Sequence, residues 1–380
     1  METYDVIIVG AGPAGLATAL YLQQMAPELA SRTLILEKER HPRSKICAGG
    51  VLADGLHLLS GLGLNIWEVP RVTIKCVHFG LEERGLTDVE KEYFFNFHTV
   101  LREDLDAWLA NKARERGMTL LEATPVRHIL LSRSGVEVVT LSKTYQAKVV
   151  VGADGAQSVV RRAIAGRRKP RYARAVQIWA PPPPGPPLHR EDGVYFDFQC
   201  IRWGIPGYVW DFPAPVRGQR MRCWGVYDSH LIPAGEKRRL SEVLAERLAF
   251  YGYSEEFPMY GGVIHHFYPD NIFAAPRVLL VGDAAGVDAL FGEGISPALG
   301  YGKLAARAIV EAFAREDFSF QDYGDQVVKS SLGRMLVRRL WIARVLYQIR
   351  ALALQRWIWW RLAGVVRWSI QRIVNWADQL

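Results

Sequence analysis

The residues with the clearest chemistry stand at the start of the chain. Gly10-Ala11-Gly12-Pro13-Ala14-Gly15 follows an apolar run at 4–9 and opens an Ala/Leu-rich stretch that reads as a helix to about Gln24. A buried parallel strand feeding a glycine turn and then a helix is a device for holding a pyrophosphate, because the helix N-terminus presents unpaired N–H groups. Gly10 permits the tight turn, Gly12 lets backbone approach the phosphates, and Gly15, next to Ala14, lets helix and strand pack closely. A second apolar strand at 33–36 ends in Glu37-Lys38, where an acid is placed to accept hydrogen bonds from a ribose. An acid there also disfavours a 2′-phosphate. The unit predicts a bound dinucleotide and by itself leaves FAD and NAD open.

Three later segments point to FAD. The run at 149–155 reads as a strand ending in a turn at Asp154, followed by Ser158 and Arg161-Arg162. Another strand, 278–281, ends in Gly282-Asp283-Ala284-Ala285, with Gly292, Gly294 and a helix from Ile295 to about Ala314 beyond it. Ahead of both lies a helix start at 101–109 with Arg102 near its N-terminus. An acid after a strand, facing the N-terminus of a glycine-rich helix, suits a ribityl hydroxyl and the negative edge of a flavin. On these segments the chain resembles the glutathione-reductase-like flavoproteins with the p-hydroxybenzoate hydroxylase topology. That resemblance implies Asp283 beside the ribityl chain and pyrophosphate, and Arg102 near the phosphates. It implies Asp154 beside the FAD and, in some members, the nicotinamide donor.

Two further segments narrow the branch: Lys45-Ile46-Cys47-Ala48-Gly49-Gly50 and Tyr208-Val209-Trp210-Asp211-Phe212-Pro213. With Gly282-Asp283-Ala284-Ala285-Gly286 and Gly292-Glu293-Gly294-Ile295, the set over residues 1–325 resembles the geranylgeranyl reductase family. The resemblance implies a loop of Cys47, Ala48 and Gly49 near the flavin, with Gly292, Gly294 and Ile295 also at the cofactor. It implies hydrogenation of isolated C=C bonds in polyprenyl chains of chlorophyll precursors, archaeal-type lipids or quinones. Tyr208 and Trp210, on one face of a strand, suit an apolar slot or a plain aromatic core. Cys47 is a candidate proton source or pocket residue, or a small residue packing a tight glycine loop.

Other flavin chemistries stay open at this point. Aromatic hydroxylases share the FAD motifs, but many place a His after the second acid turn and continue differently from Gly286-Val287-Asp288. Flavin-dependent halogenases carry a related tryptophan motif, from which 207–213 departs, and need a substrate-directed lysine, for which nothing singles out Lys75. A membrane quinone-linked electron-transfer flavoprotein and a non-catalytic flavin-binding module are further alternatives. No second dinucleotide motif is visible, so the external donor is open among NADPH, ferredoxin and another flavoprotein.

The elements predict an α/β fold: a Rossmann-like FAD-binding domain (1–70, 98–170, 273–325) interleaved with a mixed or antiparallel-sheet substrate domain (71–97, 171–272), plus C-terminal helices (326–380). Half-buried strands are expected near 72–79 and 92–97, and a helix near 240–250, within a strand-rich stretch at 174–266. The proline run at 181–187 is expected in an extended loop. His265-His266 reads as one core and one surface histidine rather than a metal site. Four dispersed cysteines and no basic N-terminal region point to a reducing, cytoplasmic setting.

The formal charge of +8 is concentrated: 331–380 holds nine Arg, one acid and six of the twelve Trp, and the preceding residues sum to zero. No apolar run there is long enough to span a bilayer. The helical pattern gathers most arginines on one broad side, with Leu340, Ile358, Leu362 and Val365 opposite and Gly364 as a break. That profile suits peripheral attachment to an anionic membrane surface. A helical pair packed on the body with a solvated basic face is the alternative. No nucleic-acid motif accompanies the charge.

Overall fold

In the computed structural model, the first sheet is built from the apolar runs that flank the glycine turn. Glu2–Val9 lies between Thr33–Leu36 and Thr144–Gly152, and Thr119–Leu121 and Val278–Leu280 extend this parallel array on either side. Val6, Ile7 and Ile8 are wholly buried, as are Val149, Val150 and Val151, which is why both strands read as unbroken apolar runs rather than alternating ones. The hairpin Val126–Leu131/Val136–Thr140 pairs antiparallel with the first half of Thr144–Gly152. The structure describes residues 1–380 apart from 90–96, 167, 185–188, 233–236, 363, 367 and 369–373.

Helices Pro13–Met25 and Ile295–Arg315 pack against each other over this sheet. A Cβ on Gly302 would stand 2.6 Å from the Ala17 Cβ, so a glycine at that crossing is what lets the two axes approach. Leu16 and Leu20 are fully buried on the first helix, each contributing ~1.5–3 kcal/mol of transfer free energy.

The second sheet has seven strands in the order Tyr260–His265, Tyr172–Ala180, Gln219–Asp228, Gly207–Val216, Gly193–Asp197, Cys76–Leu81, Arg84–Val89. It is antiparallel except where Gly193–Asp197 runs parallel to Cys76–Leu81. A small third sheet, Gly50–Val51, His98–Val100 and Arg71–Thr73, joins the two. The strand expected at 72–79 is therefore two strands in different sheets. Of the strand expected at 92–97 only Phe97 lies within the described residues, as does only the start of the proline run. The helix expected near 240–250 is Leu240–Phe250.

Both members of the His265-His266 pair are buried, at 3% and 1% exposure, which corrects the expectation of a surface histidine. His265 ends its strand against the Asp283 carbonyl, and His266 lies against the Tyr227 hydroxyl at 3.2 Å. The FAD-side loops cover the sheet end that alternation alone would leave open. Burial pushes His265 down to about 4 and His266 to about 3, with Arg161 and His265 respectively adding to the effect, so both rings are neutral. Among the described residues no group of His, Cys, Asp and Glu is placed to hold a metal, and none of the four cysteines forms a disulfide.

The C-terminal helices Ser331–Gln348 and Leu352–Arg361 are part of the body. Tyr347 and Trp359 enter the aromatic core of the second sheet, with Trp359 stacked on Phe198 at 4.2 Å. Further on, the backbone N–H groups of Asn375, Trp376 and Ala377 all donate to the Asp54 carboxylate, at 2.7–3.0 Å. The two-sided pattern expected for this region is corrected: Leu340 and Arg339 both face inward, at 3% and 1% exposure, and Val365 is exposed. Arg334, Arg338, Trp341 and Val345 form one outward stripe, and Leu354, Trp357 and Arg361 another. No described helix is long and apolar enough to cross a membrane.

Candidate FAD and substrate site

Three strand-to-helix turns meet at the C-terminal edge of the first sheet. A Cβ on Gly10, whose φ is +107°, would strike the Ala153 carbonyl at 2.4 Å, so the first turn and the turn before Asp154 touch backbone to backbone. A Cβ on Gly282 would stand 2.7 Å from the Ala14 Cβ, which brings the Asp283 turn against the start of the first helix. Gly12 caps that helix and Gly294 caps Ile295–Arg315, so two helix N-termini converge here. Asp283 Oδ1 lies 3.4 Å from where a Gly294 Cβ would be. An acid at a helix N-terminus is electrostatically favoured.

Two guanidiniums stand over Gly12: Arg43 Nη2 at 3.5 Å and Arg102 Nη2 at 3.8 Å from its Cβ position. Arg102 donates twice to buried Asp106 at 2.8 Å, and Arg43 reaches the same carboxylate at 3.1 Å. Burial works against the Arg102 charge, but Asp106, with Asp283 beyond it, outweighs it and holds the group firmly protonated. Arg43 Nε is buried without a hydrogen bond. Sequence reasoning found Arg102 and missed Arg43, which lies in a polar loop with no motif to mark it.

This cradle fits a pyrophosphate: glycine backbone at a helix N-terminus, two cations above it, and beside them Arg43 Nε, which makes no hydrogen bond and has Glu37 Oε1 at 3.6 Å. Glu37, 3% exposed, accepts from Ala11 N at 2.7 Å and Glu39 N at 3.1 Å. Its carboxylate thus shapes the glycine turn. Lys38 is exposed. The Asp154 carboxylate accepts from Ser158 Oγ, Val159 N and Val160 N, at the start of Val159–Ala165, and burial pushes its pKa up against those bonds. From the same helix Arg161 donates to the Ala156 and Ala284 carbonyls, tying the two acid turns together.

The Cys47 loop closes the site from the side of the second sheet. A Cβ on Gly49, at φ +81°, would sit 1.9 Å from the Val100 carbonyl, so this loop is pressed against the strand leading into Arg102. Gly49 N donates to Cys47 Sγ at 3.3 Å. Ala48 packs against the aromatic core, and Gly50 rests on the Phe97 ring. Tyr208, Trp210 and Phe212 share that core, while Asp211 on the other face pairs with Arg222 at 2.7 Å, as strand alternation requires. Both polar handles on the wall are occupied: Tyr208 donates to the Phe291 carbonyl, and Trp210 Nε1 reaches Cys223 Sγ at 3.5 Å.

Four tyrosine hydroxyls hold the segment that joins the Asp283 turn to Gly294. Tyr301 donates to Gly286, Tyr227 to Ala289, Tyr347 to Leu290 and Tyr208 to Phe291, each at the backbone carbonyl. Asp288 accepts from Leu290 N and Phe291 N and pairs with Arg339 at 3.0 Å; Glu293 pairs with the same arginine. Ile295 is buried directly behind, while Gly292, at φ +67°, leaves 3.0–3.1 Å between its Cβ position and Ile264 and Tyr227. None of these tyrosines except Tyr208 stood out in the sequence.

The opposite face of the Tyr208 strand carries a charged network. His189 Nδ1 lies 2.7 Å from Asp211, and Nε2 lies 3.1 Å from Glu83 and 3.2 Å from the Tyr251 hydroxyl; the ring stacks on Tyr195. Burial alone would lower its pKa, but Asp211 and Glu83 outweigh it and raise it. A raised folded-state value means stability that is fully present below the ordinary histidine pKa and is lost as pH rises through the raised one. The wild-type melting temperature should therefore fall as pH climbs from about 6.5, and His189→Gln should flatten that slope. An unchanged slope in the variant would remove His189 as its source.

Residues 3–181 match the family model described as an FAD binding domain. Digeranylgeranylglycerophospholipid reductase 1 of Methanococcoides burtonii is 28% identical, over 84% of this chain and 77% of that protein. A menaquinone reductase of Mycolicibacterium smegmatis is also 28% identical, over 80% of this chain and 75% of its own length. The fold matches a geranylgeranyl bacteriochlorophyll reductase-like protein of Thermoplasma acidophilum with a TM-score of 0.77 at 21% identity, covering 100% and 98% of the two chains. With an FAD-binding domain at its start and relatives of this kind along most of its length, the chain is an FAD-dependent oxidoreductase similar in sequence and fold to the geranylgeranyl reductases.

Proposed function

We propose that this protein saturates C=C bonds in a polyprenyl chain. The observation that carries the reading is the aromatic wall of Phe97, Phe196, Tyr208, Trp210, Phe212 and Phe291 behind the Cys47 loop, whose few polar atoms are bonded within the protein. A wall that offers rings and no free donor suits a hydrocarbon. Bound FAD, once reduced, supplies a hydride. Arg43, Arg102 and the Gly12 turn hold its pyrophosphate, Asp283 its ribityl side, and Cys47 faces the reacting carbons as the group placed to deliver the proton. Tyr208 acts through Phe291, holding the loop before Gly294. The division into an FAD-binding and a substrate portion follows the two large sheets. Lys75, which a halogenase reading would need, is exposed.

The test is anaerobic. The bound flavin is reduced with dithionite, geranylgeranyl lipids with different headgroups are added, and reoxidation is followed alongside product mass. Reoxidation with a gain of two hydrogens per bond is the expected result, and Cys47→Ala should slow it by about 10²–10⁴-fold as a lost general acid does. Flavin that stays reduced until air and an aromatic or halide substrate are supplied would move the protein to oxygen-using chemistry.

The same reading places the substrate in a membrane. The outward stripes carry Trp341, Val345, Leu354 and Trp357, 43–60% exposed, among arginines, a composition suited to an anionic headgroup layer. Trp341→Ser/Trp357→Ser should abolish flotation with anionic liposomes while leaving flavin content unchanged. Truncating the tail would be a poor test, because Arg339, Tyr347 and Trp359 are part of the body. Flotation undiminished in the double variant would sink the attachment idea.

A further inference from the structure

A second positive surface lies on the body, and its chemistry differs from that of the tail. Between Asp154 and Glu191 the sequence has eight basic residues and no acid, seven of them within 161–174, in a body whose net charge is zero. Arg162, Arg168, Lys169, Arg171 and Arg174 are exposed. Arg168 donates to the Asp270 carbonyl and Arg171 pairs with the Asp270 carboxylate at 3.0 Å, so the strip is continuous around that residue. No large apolar side chain within 155–232 is exposed among the described residues, and the exposed ones on flanking strands, Leu130, Leu131 and Tyr260, include no tryptophan. A bilayer-binding face needs interfacial anchors, as the tryptophan stripes of the tail have. A cationic face without them suits a soluble, negatively charged partner.

The strip also adjoins the cofactor site on two sides. Its helix, Val159–Ala165, has its first two N–H groups bonded to Asp154, and buried Arg161, the neighbour of Arg162, touches the Ala284 carbonyl of the Asp283 turn at 3.1 Å. Arg174 lies on Tyr172–Ala180, paired with Val263, and the adjacent Gly262 lies 4.0 Å, measured from its Cβ position, from Ile46, the residue before Cys47. A macromolecule docked here would stand one layer of side chains from the flavin loops.

We propose that Arg162, Arg168, Lys169, Arg171 and Arg174 form the docking surface for an acidic electron-carrier protein that reduces the bound FAD. The inference rests on the FAD-dependent reductase reading and names its electron donor. FAD takes up two electrons and two protons to become FADH2. A one-electron carrier therefore docks twice, leaving oxidised each time, and the protons come from solvent. Steering by opposite charge raises the encounter rate and makes it sensitive to salt.

The test uses the holoprotein, a reduced acidic [4Fe–4S] ferredoxin as probe, and no prenyl substrate, so its failure is separate from failure of the prenyl reading. Flavin bleaching is followed anaerobically by stopped flow, and ferredoxin affinity is measured by calorimetry. We expect both to weaken about tenfold or more between low and high salt. R162E/K169E/R174E should weaken both about tenfold or more at low salt. Its flavin content and its reduction by dithionite should be unchanged. The charge-matched control R217E/R239E/R315E, on exposed arginines of elements away from the strip, should show a much smaller effect. Equal slowing in both triple variants, or no salt dependence, overturns the proposal. So does NADPH reducing the flavin rapidly without a carrier and being slowed by R162E/K169E/R174E, since the strip would then read dinucleotide phosphates. Loss of anionic-vesicle binding in that variant, with ferredoxin unaffected, overturns it in favour of a lipid face.

Discussion

Replacing Arg339 by alanine is expected to destabilise the protein by about 3–5 kcal/mol, the usual consequence of stranding a buried charge. The arginine is 1% exposed and pairs with Asp288, which is wholly buried, and with Glu293. Glu293 Oε1 is already buried without a hydrogen bond, so it has no second partner to fall back on. Removal leaves two carboxylates facing each other in a dry site, where burial already pushes the Asp288 pKa up. Urea unfolding of variant and wild type should show the gap narrowing as pH falls, because protonating the stranded acids relieves the penalty. The triple change D288N/E293Q/R339M should recover most of the loss, since it removes all three charges together. A gap that does not depend on pH would mean that Arg339 acts through packing alone. On the proposed placement of FAD, flavin should also bind less tightly, because Asp288 orders the segment that leads to the helix start at Gly294.

That cluster marks where the sequence stopped being legible. The first sheet was readable because its strands are buried on both faces and stand as apolar runs between glycine turns. The turns of the candidate site were marked in the sequence too, because Gly10, Gly12, Gly15, Asp154 and Asp283 stand out by local spacing. Arg339, Arg43 and His189 carry theirs in partners that lie 51, 63 and 22 residues away, respectively Asp288, Asp106 and Asp211. Helical periodicity gathered most arginines on one side and gave no sign that Arg339 is buried, because a pattern records side-chain type and not what the neighbouring element offers it. His266 failed likewise: strand alternation assigns opposite faces, but only the tertiary fold decides whether one of them is solvent. Tyr208 was found by its motif, while its bond to the Phe291 carbonyl, which makes it a positioning group, needed the loop in place.

Gly12→Ala should lower FAD affinity about a hundredfold, equivalent to losing one or two charge-assisted hydrogen bonds of ~1.5–3 kcal/mol each. The apoprotein should stay folded. Gly12 has φ −87° and ψ −176°, which alanine adopts without strain, and the new Cβ would meet only Arg43 and Arg102 side-chain nitrogens at 3.5–3.8 Å. It would even gain slightly in apo stability, as a glycine replaced at an unstrained position does. The methyl would stand between the helix N-terminus and the two guanidiniums, in the space a pyrophosphate needs. Gly15→Ala gives the contrast. Its Cβ would fall 1.9 Å from the Gly10 carbonyl, against backbone that cannot move without opening the turn. That variant should lose flavin and fold together. Flavin fluorescence titration and apoprotein melting, run on both variants, separate the two effects. If Gly12→Ala binds FAD as tightly as the wild type, the phosphates do not lie at this helix N-terminus, and the roles given to Arg43 and Arg102 fall with it. If it loses FAD with the apo fold intact, the cradle is a seat for the cofactor rather than a device for packing the helix.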